Sequence, residues 1–369
     1  MKNTFGNSLQ ITLFGESHGE FLGAVLDGLA PGIKIDREFI AHQLDLRRPS
    51  GKISTARVEA DNFQIVSGIF KNFTTGTPLC ILIPNEIQHS KDYSKIEHLA
   101  RPGHADFSAE CKYHGFQDFR GGGHFSGRIT AALVAASAIV ISALSKKEIF
   151  LASHVKSCGN VKDLSFSENQ DELKSQIKKL NNQTFAVISS DVEEKMKIEI
   201  ENVAKDGDSV GGVLETAVVG FPSGVGEPWF DSLESLLSHA LFSVPAVKGV
   251  QFGDGFDLVN SRGSVFNDSF RMKDNKVVTK TNHNGGINGG ISNGMPILFR
   301  TAIKPTPSIY KEQETIDFEK YKNANLKIEG RHDPAIIHRA RVVVDSVTAL
   351  VLYDALASRF GTDFFMEKQ

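Results

Sequence analysis

The amino-acid sequence predicts a mixed fold in which buried strands alternate with helices. Short apolar or β-branched runs at 9–14, 79–83 and 213–219 are typical of buried strands. Charged, amphipathic stretches at 167–183 and 190–205 are typical of helices on the surface of a domain. Because both kinds of element alternate along the chain, we predict a protein that contains both α and β structure.

The stretch 129–144 (ITAALVAASAIVISAL) carries no charged residue and lies between Arg128 and Lys146. It is shorter than the roughly 20 apolar residues that span a bilayer, and a transmembrane helix is the alternative interpretation. Its alanines and serines let neighbouring elements approach closely on every side. We therefore predict a helix buried in the core.

Two further helices carry predictions about where they begin. Ser190 and Glu193 have the spacing of a capping box, so we predict that Ser190 opens a helix that ends near Gly207. The segment 342–360 begins with β-branched valines and then becomes helical in pattern. This leaves the conformation of its first turn open.

The composition narrows the class of protein. With 41 basic and 44 acidic residues the net charge is -3, which argues against a general nucleic-acid or membrane-surface binder. Cys80, Cys111 and Cys158 are too few and scattered for a disulfide framework, and no residue set has metal-ligand spacing. We therefore expect no bound metal. The N-terminus lacks the apolar region of a signal peptide, so we expect a cytoplasmic protein. No repeat or linker divides residues 1–369, which predicts one domain.

Two turns that contain histidine are candidates for acid–base chemistry. In segment 15–19 (GESHG), His18 follows a predicted strand end, where an exposed imidazole could deliver a proton near neutral pH. In segment 101–106 (RPGHAD), His104 lies beside a guanidinium and a carboxylate. The alternative for each is a solvated turn in which the histidine caps backbone groups or joins a local ion pair.

A glycine-rich segment, 120–128 (RGGGHFSGR), leads directly into the predicted core helix. Such a turn exposes backbone N–H groups at the positive end of the helix dipole. Arg120 and Arg128 add guanidinium groups, which bind phosphate or carboxylate bidentately. We interpret the segment as an anion-binding turn, with a purely structural turn as the alternative. No Walker A motif occurs in the chain.

Three more turns add positive charge and hydroxyl groups. They are 304–308 (KPTPS), 330–334 (GRHDP) and 47–49 (RRP), and each alone could be a solvated surface turn. The same residue types, Arg, Lys, His, Gly and Ser, recur in short turns spread over the whole chain. A single polyanion pocket built from distant loops explains this pattern, although the spacing does not identify the anion.

Taken in order along the chain, these segments resemble the chorismate synthase family. The similar motifs are FGESHG, RRP, TTGTP, RPGHAD, RGGG, GEP, FGDGF, KPT and GRHDP. No single motif is decisive, and the resemblance depends on their common order and spacing over nearly the whole chain. It implies an α+β fold in which antiparallel sheets sandwich central buried helices, and it implies a homotetramer.

The resemblance implies a lyase reaction, the 1,4-anti elimination of phosphate from 5-enolpyruvylshikimate 3-phosphate to give chorismate. The implied cofactor is reduced FMN, used without net redox change. NADPH is the implied reductant, acting on this chain or through a separate flavin reductase. Because the substrate carries two carboxylates and a phosphate, an arginine-rich cavity is required to hold it.

The resemblance also implies roles for individual residues. His18 would protonate the departing phosphate, His104 would protonate or hydrogen-bond the reduced flavin near N1, and Asp333 would assist at N5. Ser17 and Ser126 match serines that relay protons. The implied anion pocket comprises Arg47, Arg101, Arg128 and Arg331. The implied flavin contacts are His124, Phe125, Ser126, Pro245, Ala246, Gly289, Lys304, Pro305, Thr306, Pro307, Ser308 and Arg331. The implied NADP contacts are Arg47 and Lys52.

The chain departs from the family pattern in the flavin region. The frequent RGGGRSSAR reads RGGGHFSGR here, so His124 replaces an arginine and Phe125 replaces a small residue. Pro245 stands where an asparagine is frequent, and Lys52 where an arginine follows RRP. We expect FMN to bind with altered affinity or potential.

Two other functions are alternatives to the lyase. A flavin oxidoreductase would use the same pocket for hydride transfer. Phosphate release without net consumption of NADPH, once the flavin is reduced, would distinguish the lyase from it. A non-catalytic phosphate- or nucleotide-binding module would need neither His18 nor His104 for its activity.

Overall fold

Two five-stranded antiparallel sheets lie on either side of a layer of helices in the computed structural model, which describes residues 2–49, 51, 53–54, 60–86, 97–328 and 332–366. The strands are β1 (Thr4–Phe5), β2 (Gln10–Gly15), β3 (Phe21–Asp27), β4 (Gln64–Ser67), β5 (Ile69–Phe70), β6 (Phe73–Thr74), β7 (Leu79–Pro84), β8 (Phe150–Cys158), β9 (Val161–Lys162), β10 (Gly212–Val219), β11 (Val247–Phe252), β12 (Phe270–Lys273), β13 (Lys276–Thr279), β14 (Ile287–Asn288), β15 (Ile291–Ser292), β16 (Ile297–Ile303), β17 (Gln313–Asp317) and β18 (Lys322–Leu326). The α-helices are α1 (Arg37–Arg47), α2 (Asp106–Tyr113), α3 (Thr130–Lys146), α4 (Gln170–Leu180), α5 (Ser190–Lys205), α6 (Leu233–Ser243), α7 (Gly263–Phe266) and α8 (Ile337–Phe360).

The first sheet has the strand order β1-β2-β3-β7-β4, and the second has the order β11-β16-β10-β8-β9. Every pairing between described strands in these sheets is antiparallel. Helix α3 packs against β3 and β7, α8 packs against β8 and β10, and the two helices pack against each other. The α+β arrangement of antiparallel sheets around central helices is therefore confirmed.

Helix α3 contains the apolar stretch that we predicted to be a core helix. Twelve of its 17 residues are buried, and they lie on all sides of the helix. Among the described residues, Gly127–Lys146 is the one helical segment long and apolar enough to cross a membrane, and 72% of an 18-residue window within it is buried inside the fold. The small side chains allow the first sheet and α8 to approach it closely, as in a core helix.

The ends of the surface helices differ from the prediction in one respect. Helix α5 begins at Ser190 as predicted, but its N-cap is Ser189, and no side chain caps its first turn. The Ser189 hydroxyl instead bonds to Asp191. Helix α4 begins at Gln170, after Asn169 whose side chain accepts from Asp171 N and Glu172 N. The capping-box prediction was wrong because the N-cap lies one residue earlier, and the residue three positions after Ser189 is Val192, which has no side-chain acceptor to complete the box.

The valine-rich start of the last predicted helix is helical. Helix α8 begins at Ile337, and Val342, Val343 and Val344 are all buried within it. The intrinsic cost of a β-branched residue in a helix is a few tenths of a kcal/mol. Burial of such a side chain contributes about 1.5–3 kcal/mol, so packing outweighs propensity here.

His338 makes the stability of the fold depend on pH. Its ring is 1% exposed, stacks on Phe185 and bonds through Nε2 to the Ser54 hydroxyl. Burial, with nearby cationic groups, lowers the pKa of His338 from 6.5 to about 3. Below pH 6.5 the unfolded chain therefore binds a proton that the folded chain does not. As the pH falls from 6.5 towards about 3, we therefore expect the free energy of unfolding to decrease by up to about 1.4 kcal/mol for each pH unit.

Urea denaturation at pH 7.5 and 5.5 measures this effect against His338→Gln, which cannot titrate. Burial raises the pKa of Asp345 to about 6, so its contribution to the free energy of unfolding changes with pH in the opposite direction. Both proteins contain Asp345, so this contribution cancels in the comparison. An equal pH slope in parent and variant would contradict the prediction.

Candidate active site

The glycine-rich segment 120–123 lies against both candidate histidines. A Cβ placed on Gly121 would lie 2.3 Å from His18 Cε1 and 2.9 Å from Ser17 Oγ. A Cβ on Gly122 would lie 3.2 Å from His104 Cε1 and 3.3 Å from its Nε2. Consecutive glycines at positive φ thus allow the backbone to touch both rings, which no larger residue would permit. Three segments far apart in the sequence therefore form one site.

Hydrogen bonds hold the His18 loop in place from several sides. Ser17 N donates to Gly123 O at 3.1 Å, and His124 Nδ1 donates to Gly15 O at 2.8 Å. Asn85 Nδ2 donates to Glu16 O at 3.1 Å and to Gly19 O at 2.8 Å. Ser17 and His18 are 2% and 4% exposed. The loop is buried and preorganised, which corrects the expectation of an exposed histidine.

A carboxylate, that of Asp118, lies near His18. Asp118 accepts two hydrogen bonds from the Arg120 guanidinium, both at 2.8 Å. These bonds hold the pKa of Asp118 below its ordinary value, and the charge of His18 contributes in the same direction.

His104 is oriented by a carboxylate and a guanidinium from its own segment. Asp106 Oδ1 lies 2.7 Å from His104 Nδ1, and Arg101 donates to both Asp106 oxygens at 2.7 Å. Burial raises the pKa of Asp106, but these partners outweigh it and hold that pKa well below the ordinary range. Because an ionised carboxylate only accepts, His104 Nδ1 carries the proton. Its Nε2, on the Gly122 side, is then the nitrogen that can exchange protons.

Arg47 and Arg128, predicted to bind an anion, meet at one buried carboxylate. Asp61 Oδ2 lies 2.8 Å from Arg47 Nη2, and Asp61 Oδ1 pairs with Arg128 Nη1. Arg128 also donates through Nε to Asn85 Oδ1 at 3.1 Å. The two arginines therefore lie on the same side of the site as the His18 loop.

Asp333 is connected to Arg47 through Arg339. It pairs with Arg339 Nη1, and Arg339 Nε donates to Arg47 O at 2.8 Å. The adjacent His332 has its pKa lowered by burial and, to a smaller extent, by Arg101. The turn around Asp333 is therefore near both the first arginine turn and the His104 segment.

The segment 304–308 packs against the His104 turn. Lys304 Nζ donates to Gly103 O, and Lys304 N donates to Ala246 O at 2.9 Å. Thr306 O accepts from Ser209 Oγ at 2.6 Å. Ser308 lines an open cavity of about 260 Å³ together with His332 and Asp333. These contacts bring Ala246 and the KPTPS segment next to the His104 turn.

A second opening, next to the His104 segment, is lined by Arg101, Asp106, Asp118, Gly122 and Phe125 among others. Phe125 is 39% exposed, so its ring is available to a ligand. The combination of aromatic faces with a few charged groups is typical of a small-molecule site.

Other predicted residues are placed differently or lie outside the described part. Ser126 Oγ accepts from Arg128 N at 3.3 Å, so it caps the turn before α3. Gly289 lies in the β14–β15 turn, where a Cβ would meet nothing within 4 Å, and Pro245 is exposed after α6. Arg331 and Lys52 lie outside the described residues. Among the described residues, no His, Cys, Asp and Glu group could hold a metal ion.

Sequence reasoning missed Asp61, Asn85 and Asp118. Asp61 is 14 residues from Arg47 and 67 from Arg128 along the chain, so no local spacing singles it out. One general signal was present: two arginines predicted in a buried pocket need a carboxylate partner. That argument demands a partner but does not say which carboxylate it is.

Comparisons with known proteins agree on one family. The family described as chorismate synthase matches residues 9–357. A chorismate synthase from Pyrococcus abyssi is 45% identical over 96% of this chain and 97% of its own length. One from Dehalococcoides mccartyi strain 195 is 43% identical over 98% of each chain. A crystal structure of a chorismate synthase superposes with a TM-score of 0.77 at 29% identity, covering 97% of this chain and 94% of that one.

Proposed function

The chain belongs to the chorismate synthase family, and on this basis we propose that the loops of His18 and His104 form its reaction centre. The protein is a carbon–oxygen lyase of the shikimate pathway. It eliminates phosphate from 5-enolpyruvylshikimate 3-phosphate in a 1,4-anti reaction to give chorismate. The observation that carries the proposal is the contact of Gly121 with His18 and of Gly122 with His104. Two proton-transferring groups thus share one wall.

His18 is the proposed acid at the phosphate end of the site. The scissile C–O electron pair leaves with the phosphate, and His18 delivers a ring proton to that oxygen. Proximity to Asp118 supports this role, because it places a carboxylate beside the proposed acid, close enough for the two charges to interact. The Ser17 hydroxyl, which lies on the same side of Gly121, is positioned to relay the proton.

The substrate is proposed to bind through guanidinium groups. Its two carboxylates and its phosphate require several cations, and Arg47, Arg101 and Arg128 surround the histidine loops through the contacts described above. Arg331 joins this set by its position in the family motif. Burial of these groups strengthens each electrostatic contact relative to water.

Two buried polar atoms near the 304–308 segment are suited to bind a flavin. Thr306 Oγ1 and His332 Nε2 are buried without a hydrogen-bond partner among the described residues. Buried polar atoms are nearly always paired, so these atoms suit the polar groups of a bound cofactor. The family requires a reduced flavin, and we propose that FMN is the form bound here.

When bound, the reduced flavin supplies the electron-rich ring that allows elimination without net redox change. His104, held by Asp106, would keep a proton on Nε2 or accept one next to the flavin N1. Asp333 would assist at N5. The proposed flavin-binding positions are His124, Phe125, Ser126, Pro245, Ala246, Gly289, Arg331 and the segment 304–308.

We propose that the protein acts as a cytoplasmic homotetramer of single-domain chains. The β12–β13 ribbon supports self-association, because Phe270, Met272 and Val277 lie on one face and are 60%, 70% and 58% exposed. Sedimentation velocity measures the assembly. NADPH, through Arg47 and Lys52 or through a separate flavin reductase, is the proposed source of electrons.

An anaerobic assay with chemically reduced FMN and the enolpyruvyl substrate tests the function. We expect phosphate and chorismate to appear in equal amounts with no net oxidation of the flavin. Product formation that oxidised one reduced FMN per turnover would identify an oxidoreductase instead. Ligand binding without either product would identify a non-catalytic module.

A further inference from the structure

Asp61 is a buried carboxylate that no motif assigned to the site. Its side chain has no exposed surface. It pairs with Arg47 through Oδ2 and with Arg128 through Oδ1, and Arg48 Nε lies 3.6 Å from Oδ2. One carboxylate thus joins three guanidinium groups from two separate segments of the chain.

The contacts of Arg128 extend this arrangement to the His18 loop. Arg128 Nε donates to Asn85 Oδ1, and Asn85 Nδ2 donates to the carbonyls of Glu16 and Gly19 on either side of His18. Asn85 itself directly follows β7, and its backbone N donates to Glu20 O at 3.0 Å. A displacement of Arg128 would therefore be transmitted to the loop that carries His18.

Electrostatics give Asp61 a reason to be buried here. Burial lowers the pKa of Arg47, and the charges of Arg339 and Arg128 act in the same direction, whereas Asp61 opposes them. Without the carboxylate, Arg47 and Arg128 would be like charges held close together out of water, which is costly. They would separate or admit water, and the spacing of the anion pocket would change.

We propose that Asp61 is a positioning residue that fixes Arg47 and Arg128 as one anion-binding pair and, through Asn85, sets the loop of His18. This inference rests on the proposed function of the histidine site. In this arrangement the pairing of Arg47 with Arg128 governs substrate binding, whereas the hydrogen bonds of Asn85 to the His18 loop govern turnover.

Asp61→Asn is the sharpest test, because asparagine keeps the shape of the side chain and tolerates the positive φ of 50° at this position. We expect the KM for the enolpyruvyl substrate to rise by roughly 10–100-fold and kcat to fall by roughly tenfold, per folded molecule. Asp354→Asn is the matched control. Asp354 is also buried, but it accepts from the backbone of residues 7–9, away from the site.

Values of KM and kcat for Asp61→Asn that match the parent would overturn the proposal. A loss of activity that only matches the loss of folded protein, as expected for Asp354→Asn, would overturn it too. If Asp61→Asn does not fold, Asn85→Ala decides: we expect kcat to fall by roughly tenfold with KM within about threefold of the parent. A parent-like kcat for Asn85→Ala would overturn the connection to His18.

Calorimetric titration with inorganic phosphate keeps this inference separate from the proposed function. Weaker phosphate binding by Asp61→Asn, by about tenfold or more, would support the arginine pairing even if the parent protein released no chorismate. Equal phosphate affinity in the parent and in Asp61→Asn would count against the pairing even if the parent were fully active.

Discussion

Replacement of His18 by asparagine is expected to lower kcat by roughly 10²–10⁴-fold, the usual contribution of a positioned acid or base. Asparagine can still hydrogen-bond within the buried loop, but it has no proton to give to the departing phosphate. The effect should appear in single-turnover phosphate release under anaerobic conditions. KM should change much less, because the arginines rather than His18 are the proposed substrate contacts.

His114→Asn is the control for this substitution. His114 is exposed and ends α2 in the left-handed conformation, which asparagine adopts readily. Parent-like turnover in this variant would show that the asparagine substitution is not itself harmful. If His18→Asn also turned over at nearly the parent rate, His18 could not be the acid.

Addition of a single methyl group at Gly121 should be almost as damaging as the loss of His18. A Cβ there would lie 2.3 Å from His18 Cε1 and 2.5 Å from Nδ1, so the ring must move by about 1 Å or more. A displacement of this size at a reacting group can lower the rate by roughly 10²-fold. Gly121→Ala should therefore reduce kcat by about that factor in the same phosphate assay.

Gly127→Ala controls for the cost of alanine in this segment. Gly127 has no atom within 4 Å of its Cβ position and does not adopt a positive φ. Both variants should be normalised to their folded fraction, because the φ of 59° at Gly121 adds roughly 1–2 kcal/mol of backbone strain to alanine. Equal activity of the two variants would refute the contact between Gly121 and His18.

Local periodicity was enough to predict the elements with the strongest patterns. The strands at 79–83 and 213–219 and the core helix at 129–144 all lie where the apolar runs indicated. The N-cap of α5 could not be assigned, since Ser189 and Ser190 differ by one position and the choice depends on the local hydrogen bonds. The first turn of α8 was decided by burial between the two sheets.

The candidate site shows the same division. Composition and order of motifs indicated the histidine turns, the arginine turns and the glycine-rich segment, because each is a short run with unusual residue types. They did not indicate that Gly121 and Gly122 would touch different histidines, since that depends on the turn of the backbone between them. Nor did they indicate that His124, whose position suggested a flavin contact, bonds to Gly15 O.

The sequence by itself determined the class of protein and the chemistry available to it: a nearly neutral chain, an apolar core helix, and short turns rich in Arg, His and Gly. Only the tertiary structure decided which of these groups meet. Asp61 joins Arg47 and Arg128 across 14 and 67 residues, and Asn85 reaches back 66 residues to the carbonyl of Gly19. Contacts over such distances depend on how the two sheets and their helices pack, because no local pattern encodes the register between distant segments.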